Sequence, residues 1–266
     1  MRSLQPLRGL VTAVRTLSSI PIPGRDAVDM SAALPFFPLV GGIIGAVLFG
    51  LYCLLRLIHS SGWSEGTSLV LVVAGMALTR GIHLDGLADT ADGLFSMTDR
   101  TRTLAIMKDS RVGTFGVLAL ITILGLKWIS LSRLVAHDAV VWVVPAAVGS
   151  RTLMSSLAVL LPYARSEGGC GEPFVKGARP MHLAIAWTIA LLCHLPLGPV
   201  APATLAITVA ALFIFKRVYT KRIGGITGDL LGAASEITET VILFTIAALV
   251  PDSPVINLLK AYTWSI

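Results

Sequence analysis

"LPFFPLVGGIIGAVLFGLYCLLRLI", residues 34–58, contains a single charged side chain, Arg56. A helix rising about 1.5 Å per residue over that stretch is long enough to cross a hydrocarbon layer of about 30 Å. Comparable apolar runs follow at Thr67 to Leu84, Gly113 to Leu134, Ala139 to Leu161, Met181 to Leu197, Val200 to Phe215 and Leu230 to Val250. Counted with the first, they predict about seven transmembrane helices. Over the full 266 residues, 55% are hydrophobic and 14% charged, and the mean hydropathy of +0.81 excludes an ordinary soluble globule. The alternation expected of a barrel is missing, and lipid-facing backbone groups must be satisfied within each segment. The expected fold is therefore all-α, a polytopic integral membrane helix bundle.

Three regions are expected. Residues 1–33 form a cytoplasmic, interfacial amphipathic segment, 34–250 the transmembrane catalytic domain and 251–266 a short C-terminal tail. The apolar stretch Leu10 to Val14 is too short for a secretion signal and is interrupted by Arg15. It reads as a helix lying on the membrane surface and ending at Pro21 to Pro23.

Basic residues collect in alternate connections. Arg2, Arg8, Arg15 and Arg25 precede the first span, and Arg100, Arg102, Lys108 and Arg111 follow the second. Arg165, Lys176 and Arg179 follow the fourth span, while Lys216, Arg217, Lys221 and Arg222 follow the sixth. The intervening connections offer Arg56 and Arg133, with Lys260 after the last span. The positive-inside rule then predicts a multi-pass protein of a cell membrane with its N-terminus in the cytoplasm and its C-terminus across the bilayer. A formal net charge of +6 is mostly this bias rather than a nucleic-acid surface, so the lipid bilayer is the expected macroscopic partner. Homo-oligomerisation is left open. Cys53, Cys170 and Cys193 are odd in number and scattered, which points to neither disulfides nor a Cys metal site.

In this greasy chain, "HLDGLADTADGLF", residues 83–95, concentrates Asp85, Asp89 and Asp92 at i, i+4 and i+7, one face of a helix. Carboxylates stacked so closely repel and call for a cation. Mg²⁺, held by a few carboxylates plus waters and substrate phosphates, suits them. The plainer reading is a solvated loop whose aspartates cap helices. A partner cluster argues against it: "GGITGDLLGAASEITET", residues 224–240, sets Asp229, Glu236 and Glu239 along one face of the last span. Gly225 and Gly228 before that face allow backbone N–H groups to approach an anion, although such glycines also serve helix packing. Between the clusters, "KDSRVGTFG" carries Lys108 and Arg111, suited to neutralising and clasping phosphate. Arg165 follows the fourth span. Lys127 and Arg151 lie within the nominal bilayer depth, where an ionisable group is a functional candidate. His83 is read as a packed or hydrogen-bonded residue.

Carboxylates on two helices, a Gly-rich helix entry and several cations are what a metal-dependent reaction at a diphosphate needs. A transferase acting on CDP-alcohols would continue from Asp-Gly into Ala-Arg, whereas here Ala88 precedes Asp89. A prenyl transferase would prefer wider aspartate spacing. An ion-coupled transporter would place its acidic groups near the midplane of a repeated architecture, and no repeat is visible. These remain the alternatives.

"HLDGLADTADG", "KDSRVGTFG" and "GGITGDLLGAASEITE", in this order among apolar helices, resemble the adenosylcobinamide-GDP ribazoletransferase (cobalamin 5′-phosphate synthase) family. "PFFPLVGGIIG" at Pro35 to Gly45 and Tyr163 to Arg165 are similar too, so the likeness spans nearly the whole chain. It implies that adenosylcobinamide-GDP is joined to α-ribazole or its 5′-phosphate with Mg²⁺, releasing GMP at the last stage of cobalamin assembly. It also implies metal roles for Asp85, Asp89, Asp92, Asp229 and Glu236; for the hydroxyl proton of the acceptor the chemistry needs a carboxylate, and Asp92, or else Asp89, is the expected catalytic acceptor. Phosphate contact falls to Lys108, Arg111, Arg165, Arg151 and Lys127, with Gly225 and Gly228 at the phosphate. The chain departs from the family at "LSSIPIP", where Ser19 stands in place of a common Arg, and no substrate role is carried onto the N-terminal segment.

Overall fold

The computed structural model describes residues 5–58, 63–195 and 201–249. They form helices α1 (Gln5–Leu17), α2 (Phe37–Ile58), α3 (Ser64–Thr79), α4 (Ile82–Phe95), α5 (Arg100–Ile106) and α6 (Thr114–Ala136), then α7 (Val143–Leu160), α8 (Glu172–Lys176), α9 (Pro180–His194), α10 (Ala201–Arg222) and α11 (Gly228–Leu249). The architecture is an all-α polytopic membrane bundle. Among the described residues, five stretches of helix are long and apolar enough to cross a membrane, or six if α3 and α4 form one broken span.

The expected count of about seven shrinks for two physical reasons. The run from Thr67 to Leu84 is not one rod. Arg80 (φ 55°) and Gly81 (φ 66°) both take left-handed backbone, and the axes of α3 and α4 turn by 89° there. The Arg80 guanidinium donates to the Arg15 carbonyl at 2.7 Å and so ties this corner to α1. The run from Met181 becomes α9, whose 15 residues make a rod of only about 22 Å. The expected span ends at Leu197, Val200 and Val250, and the tail 251–266 with Lys260, lie outside the described residues.

α7 is the hub. Pro145 to Ala158 are buried with little interruption, because α2, α9, α10 and α11 surround the helix. Gly41 and Gly45 on α2 bring that backbone directly onto α7: a Cβ at Gly45 would sit 2.6 Å from the Val144 Cα. Small residues four apart permit such close crossing in a membrane, where association depends on packing rather than on water exclusion. α1 buries Val11, Val14 and Leu17, and it packs on the 3-10 turn Met30–Phe36, which Asp29 caps by accepting from the Ser31 N–H at 3.0 Å.

One end of the bundle is tied across its loops. The Pro162 carbonyl accepts from the Ile226 N–H at 2.8 Å, and the Ile226 carbonyl accepts from the Ala164 N–H at 2.9 Å. Arg100 bridges both strands of this clasp, donating to the Ile223 carbonyl at 2.5 Å and to the Ala164 carbonyl at 2.7 Å. Segments 96–113, 161–171 and 223–227 therefore meet above α4, α6, α7 and α11.

Candidate active site

α4 and α11 cross without room for a side chain between them. A Cβ on Gly86 would lie 2.8 Å from the Asp229 Cα, and one on Gly232 would lie 3.1 Å from the His83 Cα. The helices run antiparallel, so the acidic face of α4 meets the N-terminal turn of α11. Asp89 lies within electrostatic reach of Asp85, Asp229, Arg165 and Asp92. The two acidic segments, far apart in sequence, thus meet at one end of the bundle.

The five carboxylates expected to act together have different partners. Asp85 and Asp89 have neither a hydrogen-bond nor an ion-pair partner among the described residues; Asp85 is exposed and Asp89 half-buried. Asp229 accepts from Arg165 Nη2 at 2.8 Å and from the Thr227 hydroxyl at 3.3 Å. The Arg165 side chain is 12% exposed, and its buried Nε has no partner. Asp92 is occupied by the start of α6: its Oδ2 accepts from the Gly113 N–H at 2.7 Å and its Oδ1 from the Gly116 N–H at 2.8 Å. A carboxylate there satisfies two N–H groups that the helix cannot pair internally and complements its positive end.

Glu236 lies elsewhere. Two turns farther along α11, it accepts from Lys127 Nζ at 2.5 Å, and the same ammonium donates to Glu239 at 2.9 Å. Arg151 pairs with Glu239, and its Nη2 lies 3.5 Å from Nδ1 of the buried His83. Lys127, Arg151, Glu236 and Glu239 line a cavity of about 40 Å³ between α2, α3, α6, α7 and α11. Lys127 and Arg151, expected at phosphate, and Glu236, expected at metal, are brought together with Glu239 in one charge cluster inside the bundle. Two cations face two anions, which is how charges persist in such an environment.

Lys108 and Arg111 stand at the rim, with side chains 65% and 87% exposed. Lys108 is 4.0 Å from Glu167, across from the Arg165 loop. Arg111 grips Asp109 with Nε and Nη2, and these hydrogen bonds hold the Asp109 carboxyl at about 2. Burial pushes the Tyr163 phenol up, against the pull of Arg165. Gly225 is a packing glycine, since a Cβ would run into the Pro162 carbonyl; Gly228 opens α11 beside Gly171.

Sequence reasoning passed over Arg100, because nothing in the sequence sets it apart from any other Arg in the basic connections. Glu239 shared the acidic face of α11 but received no role, and its partners become visible only once α6 and α7 are laid beside that face.

Among the described residues, no three His, Cys, Asp or Glu side chains gather closely enough to hold a metal by themselves. A Mg²⁺ that keeps its waters needs only one or two carboxylates plus substrate phosphates. The oxygen-only pair Asp85 and Asp89, without partners and next to Asp229, meets that demand.

The family model described as cobalamin-5-phosphate synthase matches residues 9–247. The chain belongs to this family. A relative from Chlorobium phaeovibrioides (strain DSM 265 / 1930), named adenosylcobinamide-GDP ribazoletransferase, is 46% identical across 88% of this chain and 94% of its own length. Proteins of the same name from Chlorobaculum parvum (strain DSM 263 / NCIMB 8327) and Clostridium novyi (strain NT) are 44% and 34% identical, each across 91% of this chain and across 95% and 97% of their own lengths. No solved structure matches the chain. Membership of the cobalamin-5-phosphate synthase family makes the chain a transferase, and the segments that carry the Asp85, Asp229 and Arg165 constellation all lie within the matched region.

Proposed function

We propose that the chain joins adenosylcobinamide-GDP to α-ribazole or α-ribazole 5′-phosphate, releasing GMP and forming adenosylcobalamin or its 5′-phosphate. The observation that carries this reading is the crossing of α4 on α11, which sets two unpartnered carboxylates beside Asp229 and Arg165 at one end of the bundle. Like charges held this close repel one another, and a cation bound between them relieves that repulsion.

Asp85 and Asp89 would hold Mg²⁺, with Asp229 facing them across the crossing. When bound, the ion supplies charge neutralisation at the diphosphate oxygens and at the departing phosphate. Arg165, steered by Asp229, turns its guanidinium toward the same space and binds a phosphate oxygen, while Lys108 and Arg111 attract the diphosphate from the rim. A ribose hydroxyl of the ribazole attacks the phosphorus bonded to the cobinamide oxygen. The new O–P bond forms as the bridging P–O bond to GMP breaks, and the hydroxyl proton passes to a carboxylate of the chain. Asp89 fits that last role better than Asp92, whose two oxygens already accept backbone N–H groups.

The site end faces the cytoplasm in this reading, since the loops that meet there carry Arg100, Arg102, Lys108, Arg111 and Arg165. Incubating the purified protein with adenosylcobinamide-GDP, α-ribazole and Mg²⁺, with and without chelator, tests the proposal by product mass. Chelator-sensitive GMP release together with a cobalamin product is expected; release of GMP without any ribazole-containing product contradicts it.

A further inference from the structure

α10 packs on α7 and α11 and stands off from α4 and α6, leaving a groove of about 940 Å³ between them. Its walls are apolar side chains such as Phe95, Phe115, Leu118, Ile214 and Val218, all exposed in the isolated chain. One end differs sharply. Arg217, Lys221 and Arg222 line the groove at the C-terminus of α10, and among the described residues no Asp or Glu lines it. None of the three forms an ion pair with a carboxylate among the described residues. Arg222 is fixed in place by donating to the Leu94 carbonyl of α4 at 2.9 Å.

We propose that this groove binds one anionic glycerophospholipid, with an acyl chain along the α4, α6 and α10 walls and its phosphate on Arg217, Lys221 and Arg222. Charge complementarity selects this occupant. A long apolar trough ending in three unneutralised cations at the level of the loops matches an amphiphile with a negative head, and basic pockets between membrane helices on the positively charged side bind such headgroups. A soluble nucleotide would leave the apolar walls uncovered, and a zwitterionic lipid would leave the cations uncompensated. The groove is not a part of the reaction site. On a 3.6-residue helix, Leu87, Thr90, Ala91 and Leu94 of α4 face away from Asp85, Asp89 and Asp92. The lipid therefore braces the back of the helix whose front carries the carboxylates.

Native mass spectrometry of the full chain, stripped of lipid in detergent and then offered phosphatidylglycerol or phosphatidylcholine, reads this out. The wild type is expected to retain one phosphatidylglycerol with about tenfold or greater preference over phosphatidylcholine, since the three cations meet a headgroup of net negative charge in the first and of no net charge in the second. The exposed double variant R217Q/K221Q should lose that preference, and L118W, which fills the groove, should lose the retained lipid altogether. Inorganic phosphate at millimolar concentration should not displace it. Equal retention of both lipids by the wild type, an unchanged preference in R217Q/K221Q, or displacement by phosphate alone would each overturn the proposal.

Discussion

Two acidic regions lie along α11, the first of them shared with α4, and the molecule treats them differently. At its first turn, Asp229 faces Asp85 and Asp89, and the latter two have no partner among the described residues. Two turns farther along, Glu236 and Glu239 are matched charge for charge by Lys127 and Arg151. Acidic residues thus serve different ends, and what separates Asp85 and Asp89 of α4 from Glu236 and Glu239 of α11 is whether a counter-charge is built against them; Asp229, which faces the first pair, takes its own from Arg165. Matched charges deep among the helices hold α6, α7 and α11 in register. Unmatched charges at the open end are left for something that arrives.

Four outcomes test this contrast. The largest is expected from Asp85→Asn or Asp89→Asn, which should lower GMP release by roughly 10²–10³-fold or more while thermal unfolding stays unchanged or rises slightly, because a like-charge neighbour has been removed. Next, Lys127→Met strands Glu236 and Glu239 without their shared cation and should cost about 3–5 kcal/mol of stability. The double variant K127M/E236Q should recover part of that loss, and comparing denaturation midpoints in one detergent checks both. Gly86→Ala is smaller: the added methyl meets the Asp229 backbone and should cost about 1–3 kcal/mol. Because the crossing also aligns Asp85 and Asp89, its fall in turnover should exceed its fall in folded fraction.

The smallest effect concerns pH. Arg111 lowers the Asp109 carboxyl from 3.8 to about 2, so the pair is intact above the ordinary carboxylate range and is lost only as pH falls through about 2. The wild type and Asp109→Asn should therefore show the same shape of pH–activity profile between pH 5 and 8, measured by GMP release, with any difference confined to its height.

Much of this was legible in the sequence because periodicity carries it. The one-face spacing of Asp85, Asp89 and Asp92, the long apolar runs and the alternation of basic loops all depend on local chain geometry. The division of labour among the charges was not. Asp92 shares the helical face of Asp85 and Asp89, yet the register of α6 turns it into that helix's cap. Lys127 and Arg151 look like substrate ligands until α11 is placed against them, and no local signal announces that Glu236 points their way. The corner at Arg80 was hidden for a similar reason: Arg has no special preference for left-handed backbone, and the conformation is held by tertiary contact with α1. What the sequence conveyed least were the choices made by register between distant helices.

The most direct test is Mn²⁺ binding, followed by electron paramagnetic resonance, in the presence of adenosylcobinamide-GDP and without acceptor. The wild type and Glu236→Gln, where the latter folds, should bind the ion, whereas Asp85→Asn and Asp89→Asn should lose it. Loss of the ion in Glu236→Gln with retention in both aspartate variants would contradict the assignment and move the metal to the interior cluster.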